Sequence, residues 1–168
     1  MAEMTKGNLA DAFAGESQAS VKYAIYAEKA EKEGFPEVAR LFRAISYAEQ
    51  VHAGNHLKVL GGIKKTAENL EAAREGEHFE IEEMYPAYNA VAELQEQKQA
   101  VRSIKWALET EKIHEKLYED ANVTVEEGKD IGEATVWICT VCGHTHVGDE
   151  APETCPFCNV KSDKYRKF

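Results

Sequence analysis

Apolar residues return at helical spacing along most of the chain, in four separate runs. The first covers roughly residues 9–33, with Leu9, Phe13, Tyr23, Ala27 and Ala30 on one stripe. Gly34-Phe35-Pro36 closes it: glycine suits a helix C-cap, and proline opens the next helix in its first turn. The second run, about residues 37–60, carries Val38, Leu41, Ile45 and Val59 and stops at Gly61-Gly62. The third begins near Thr66, an N-cap candidate with Asn69 as its rival, and carries Leu70, Ala73, Met84, Tyr88 and Val91. Pro86 lies inside it and predicts a kink or local break. The fourth, about residues 99–121, carries Ile104, Leu108 and Tyr118. After Asn122 the period fades into glycine-punctuated text, and from Trp137 the chain is turn-rich and cysteine-bearing. These shifts predict a helical domain over 1–122, a linker over 123–134 and a small domain over 135–168.

Each stripe is interrupted near its middle by an acid or an imidazole. Glu16 sits between Phe13 and Tyr23, and Glu49 with His52 replaces apolar residues in the second run. Glu77, with Glu80 one turn on, interrupts the third, and Glu111 with His114 the fourth. Residues three apart on a helix lie about 60° from one another, so each Glu-x-x-His pair can aim at one point. The pattern repeats: Glu16 to Glu49 is 33 residues, Glu77 to Glu111 is 34, and Glu-x-x-His closes each half. Two helical hairpins that each offer a lone Glu and a Glu-x-x-His supply the ligands of a dinuclear carboxylate site in a four-helix bundle. Four carboxylates buried without compensating charge would each cost several kcal/mol. Two divalent cations supply that charge, and an oxygen-rich set with two imidazoles suits iron or manganese better than zinc. His56 and His78 lie off the shared point and read as ordinary helix residues.

Composition narrows the function classes. A length of 168 residues suits one domain with a small appendage, and a hydrophobic content of 43% supports a packed core. The formal net charge of −10 argues against nucleic-acid partners and against an anionic membrane, since both reward a basic surface. No apolar run is long enough to cross a bilayer, and MAEMTKGNLAD carries no signal-like apolar segment. The expected location is the cytoplasm.

All four cysteines fall in the last thirty residues, as CTVCG and CPFCN. With no export signal, two CxxC knuckles read as a metal site before they read as disulfides. Cys139, Cys142, Cys155 and Cys158 can give four thiolates to one tetrahedral metal. Gly143 and Asn159, which follow the knuckles, tolerate the positive φ that turns backbone N–H groups toward sulfur. Thiolates alone leave structural zinc and redox iron both open.

Taken together, AFAGESQA, AEQVH, GEHFEIEEMYP, ETEKIH and WICTVCGHTHVGDEAPETCPFC resemble the rubrerythrins over essentially the whole chain. The resemblance implies a mainly helical, ferritin-like four-helix bundle with two non-haem irons, followed by a rubredoxin-like domain with one iron on four cysteines. It implies a peroxidase of oxidative-stress defence, which reduces hydrogen peroxide to water with electrons from rubredoxin or its NADH-dependent reductase. By the same resemblance the diiron ligands are Glu16, Glu49, His52, Glu77, Glu80, Glu111 and His114, with Glu49 and Glu111 bridging. Tyr23 and Tyr85 match tyrosines that hydrogen-bond ligand carboxylates. One iron is implied to move between His52 when reduced and Glu80 when oxidised, a direction that makes electrostatic sense because added positive charge favours an anionic ligand. His144 stands where an aromatic residue is usual. The resemblance also implies a head-to-tail dimer in which the tail docks on a neighbouring subunit. The competing readings are a ferritin-like Fe(II) oxidase whose tail is a structural zinc ribbon, and a non-enzymatic zinc-ribbon module, which leaves the bundle ligands unexplained.

One feature departs from the family pattern. In this bundle type the second and third helices run parallel, so their connection must travel the bundle's length. From the ligand level to Leu60 is about 12 Å, and from Ala67 to Glu77 about 15 Å. The link must cover roughly 27 Å along the axis and about 10 Å sideways, whereas seven extended residues reach only about 25 Å. Either the helix ends unwind or hairpins are exchanged between two chains of a homodimer, and the second is the expectation.

Overall fold

The structure, a computed structural model, describes residues 1–168 and divides into two compact units, Met1–Lys64 and Lys65–Phe168. The first unit is a hairpin of α1 (Glu3–Lys32) and α2 (Pro36–Val59). Its turn follows from the residues read there. Gly34 takes φ +83°, its N–H reaches the Glu31 carbonyl and the Phe35 N–H reaches the Ala30 carbonyl, so a Schellman cap ends α1. Pro36 then opens α2. Small side chains let the two helices approach: Ala27, Ala30 and Ala39 are buried, with Phe42 packed beside them. Farther along, the Ser20 and Ser46 hydroxyls each donate to the other's backbone carbonyl, at 2.9 and 2.8 Å.

In the second unit α3 (Thr66–Phe79) continues into a π turn (Glu80–Met84) and then α4 (Tyr85–Leu94), and α5 (Lys98–Glu126) folds back along them. The N-cap of α3 is Lys65 rather than Thr66 or Asn69. The break expected at Pro86 falls just before it, in the π turn, because a proline at the second position of α4 gives up no hydrogen bond that a helix start would need. Helix α5 runs on to Glu126, past Asn122, with Thr124 and Val125 partly buried.

The two hairpins are copies of one plan. Tyr23 and Tyr85, Glu31 and Glu93, Gly34 and Glu96, and His52 and His114 are each 62 positions apart. The copies share their turn, since the Gln97 N–H reaches the Ala92 carbonyl as Phe35 reaches Ala30. Glu96 takes the glycine's place at φ +54°, a conformation that costs a residue with a Cβ about 1 kcal/mol. They share their brace as well: Arg43 pairs with Glu31 at 2.6 Å and Lys105 with Glu93 at 2.9 Å. Only Glu16 and Glu77 depart, at 61 positions. The extra residue between Glu77 and Tyr85 is taken up by the π turn, which widens one turn and leaves both residues in phase with their counterparts.

The tail is a three-stranded antiparallel sheet in the order β2-β1-β3, made of β1 (Val136–Cys139), β2 (Thr145–Val147) and β3 (Tyr165–Lys167). It lies on α5 of the same chain. The Trp106 indole N–H donates to the Phe157 carbonyl at 3.2 Å, and the His114 ring meets the Thr145 hydroxyl. Reach allows this. From His114 to the end of α5 is about 18 Å, and the nine residues between Glu126 and Val136 span up to about 30 Å.

Candidate metal centres

Helix periodicity brings Glu49 and His52 to one face of α2, and the antiparallel hairpin brings Glu16 of α1 against them. His52 Nδ1 lies 2.9 Å from Glu49 Oε2 and 3.8 Å from Glu16 Oε1. The second hairpin repeats the arrangement, with His114 Nδ1 2.6 Å from Glu111 Oε2 and 3.8 Å from Glu77 Oε1. In each trio the candidate donor atoms all lie within 4.8 Å of one another. Each hairpin thus carries two carboxylates and an imidazole, hard donors that fit iron or manganese.

Electrostatics in the second trio favour a cation. Burial, and then the negative charge of Glu111, push the Glu77 carboxyl up to about 7. Glu80 is pushed up by burial and by Glu111, against a hydrogen bond from Tyr85. The hydrogen bond to Glu111 raises His114, with the Glu111, Glu77 and Glu80 charges acting the same way. Glu80 stands outside the trio, as the first residue of the π turn, and Tyr85 holds its carboxylate by a hydrogen bond. Burial and then the Glu80 charge push that phenol up to about 12, so it stays protonated and donates. Tyr23 instead packs its ring on Phe42 at 6.1 Å and on Tyr26 at 6.2 Å. His78 pairs with Glu115 at 2.8 Å, in keeping with an ordinary helix residue.

These shifts set a pH dependence for the metal-free protein. Between an ordinary carboxyl value of 4.5 and about 7, folded Glu77 holds a proton that the unfolded chain has lost. That contribution to stability is present at low pH and disappears as pH rises through the window. Raised His114 has the same sign: its contribution is complete below 6.5 and is lost as pH passes the raised value. Thermal unfolding of metal-free protein is therefore expected at lower temperature near pH 8 than near pH 5.5, and divalent metal should reverse the trend because it displaces those protons. A melting temperature that climbs with pH in the metal-free protein would contradict this assignment.

The four cysteines are unbridged, and their sulfurs converge: Cys139 and Cys158 lie 3.6 Å apart, Cys142 and Cys155 3.5 Å. Gly143 and Asn159 take φ +85° and +61°, and their N–H groups close the knuckles on Cys139 and Cys155 at 2.9 Å. Burial raises the Cys155 thiol, but a hydrogen bond from Tyr165 and the backbone N–H groups of Cys158 and Phe157 bring it down to about 6, toward thiolate. His144 is buried, edge-on to Phe157, with Nδ1 2.7 Å from the Tyr165 hydroxyl, so it packs the knuckles as an aromatic ring would. Sequence reasoning missed Thr145, which is 4% exposed and touches His114, because its one signal was position, just beyond a cysteine knuckle.

Comparison with known proteins gives the same two parts. The family described as Rubrerythrin matches residues 7–122, and the rubredoxin-like domain of rubrerythrin matches residues 137–166. Rubrerythrin-2 of Clostridium acetobutylicum is 44% identical over 98% of this chain and 97% of its own length. Rubrerythrin of Nitratidesulfovibrio vulgaris is 34% identical over 92% and 88%. Solved nigerythrin in a mixed-valence state matches with TM-score 0.56 and 30% identity, over 98% of this chain and 86% of that one. Its fully reduced, all-ferrous state matches with the same TM-score at 29% identity.

Proposed function

The chain belongs to the rubrerythrin family, and on that premise we propose that it is a non-haem diiron peroxidase. It takes hydrogen peroxide, two electrons and two protons to two waters, and the electrons pass through iron on Cys139, Cys142, Cys155 and Cys158. A rubredoxin, or its NADH-dependent reductase, is the donor. Two bound irons would supply two electrons together, which would let the O–O bond break without release of a one-electron radical.

The residues divide the remaining work. Glu16, Glu49 and His52 from one hairpin and Glu77, Glu111 and His114 from the other would hold the cations; bridging by Glu49 and Glu111 is what the family resemblance implies. The observation that carries the peroxidase reading is Glu80, a spare carboxylate one turn beyond the second trio and held ready by Tyr85. A site that only oxidises and stores iron needs no such group. On the family's pattern Glu80 and His52 would be alternative ligands, anion against neutral ring, and the charge of the loaded site would decide between them. Nigerythrin, solved in mixed-valence and all-ferrous states, supports redox-active iron in a relative.

Protein reduced without oxygen and mixed with peroxide is expected to reoxidise with one peroxide consumed per two bundle irons, while the red colour of thiolate-bound iron bleaches and returns. Fast oxidation by oxygen with a sluggish peroxide reaction, and zinc on the cysteines of carefully iron-loaded material, would select the iron-handling alternative.

Two copies exchange hairpins in this reading. Helix α2 runs through Val59 and α3 begins at Thr66, so the helix ends do not unwind to lengthen the connection. The apolar stripe leading to Glu49 and His52 includes Val38, Leu41 and Ile45, all exposed and in need of cover. Exchange makes an unusual prediction. Glu49→Ala and Glu111→Ala homodimers should each be inactive, yet refolding the two together should restore about one quarter of normal activity, because each mixed dimer regains one intact site. No recovery on mixing would mean that both hairpins of a site come from one chain.

A further inference from the structure

We propose that Thr145, on the four-cysteine domain, is a positioning residue for the dinuclear site: its hydroxyl holds the His114 ring so that Nδ1 faces the carboxylates. The inference rests on the reading of Glu77, Glu111 and His114 as metal ligands. His114 is gripped at both ends, by Glu111 Oε2 2.6 Å from Nδ1 and by Thr145 Oγ1 2.7 Å from Nε2. Thr145 is buried, so no bulk water replaces its hydroxyl.

A hydroxyl can donate and accept, which lets one side chain serve two states. Without metal, a ring proton on Nδ1 goes to Glu111 and Thr145 donates to Nε2. With a cation at Nδ1, the ring proton must sit on Nε2. Thr145 then accepts it, and its own O–H turns to the Gly143 carbonyl, 3.3 Å away. Gly143 directly follows Cys142. A hydrogen-bonded chain therefore runs from a cysteine knuckle to a ligand of the carboxylate site on the same chain, and it forms only when the tail is docked. Metal-bound histidines commonly owe their orientation to such a partner on the second nitrogen. His52 has none: its side chain is 54% exposed against 29% for His114, and only Nδ1 is held. Within the chain, His114 is held at both ring nitrogens and His52 at one.

The test compares Thr145→Val, close in shape but without the hydroxyl, with Thr145→Ser, which keeps it. With zinc on the cysteines, cobalt(II) is titrated into the carboxylate site and followed by its visible spectrum. The Val variant is expected to bind roughly 10–100-fold more weakly, and the Ser variant close to the unsubstituted protein. In unsubstituted protein loaded with zinc throughout, nitrogen-15 NMR should show a slowly exchanging His114 Nε2–H. Equal cobalt affinity in the Val variant, or a ring N–H that exchanges like an exposed one, overturns the proposal. An unsubstituted protein that takes no cobalt on its carboxylates overturns the dinuclear reading, and this inference with it. The NMR result needs no substitution, so it stands even where the Val variant fails to fold.

Discussion

Glu111→Ala is expected to abolish peroxide reduction and to strip metal from the carboxylate site, while the four-cysteine iron keeps its colour. Glu111 sits at the centre of the second group. It lies 2.6 Å from His114 Nδ1, and its charge acts on Glu77, Glu80 and Tyr85. If it bridges two cations, its loss removes a ligand from both and also a negative charge that helps to hold them. The effect should exceed the roughly 10–100-fold cost of removing an outer partner of a metal ligand. Iron content per chain and turnover with peroxide are the measurements. A variant that retains its bundle iron and most of its activity would show that the cations are held elsewhere. Burial remains the main cause of the raised Glu77, but removing Glu111 takes away the second cause and the hydrogen bond that raises His114, so the metal-free variant should lose part of the pH dependence expected of the parent.

Glu80→Ala is expected to separate binding from turnover. Glu80 is outside the trio formed by Glu77, Glu111 and His114, so the site should still fill with ferrous iron. Turnover should fall about 100-fold, equivalent to about 2.7 kcal/mol of lost stabilisation along the reaction. The loss would arise because a more positive, oxidised site would lack the third carboxylate of the second hairpin, beside Glu77 and Glu111, to neutralise it. Tyr85→Phe leaves that carboxylate in place but removes the hydrogen bond that holds it, so its effect should be smaller and should lie in the same step. Full turnover in Glu80→Ala with normal iron content would contradict the role given to Glu80, without touching the metal assignments of the two trios.

The candidate trios were legible in the sequence because helix geometry is local. Three residues along a helix is always about 60° of rotation, so Glu49 with His52 and Glu111 with His114 must share a face wherever the helix packs. The cysteine knuckles were legible for the same reason, since CxxC with a following glycine or asparagine carries its own turn. The hairpin caps at Gly34 and Gly61 could be read as well, because a positive φ leaves its mark in residue type. Glu96, which adopts the same conformation as Gly34 in the other hairpin, could not: tertiary packing carries its local cost.

Three things needed the tertiary structure. The count of 33 against 34 residues between the paired acids was visible, but its cause was not. A one-residue insertion could have rotated Tyr85 off its face, and the π turn at Glu80–Met84 absorbs it where Glu80 is presented. The docking of the tail on α5 depends on Trp106 meeting Phe157 and His114 meeting Thr145, 51 and 31 positions apart, and no periodicity relates them. The second nitrogen of His114 therefore acquires its partner only in three dimensions. Local spacing along the chain dictates which atoms can converge within a hairpin, whereas contacts between elements far apart in sequence dictate which of those atoms is pinned, and by what.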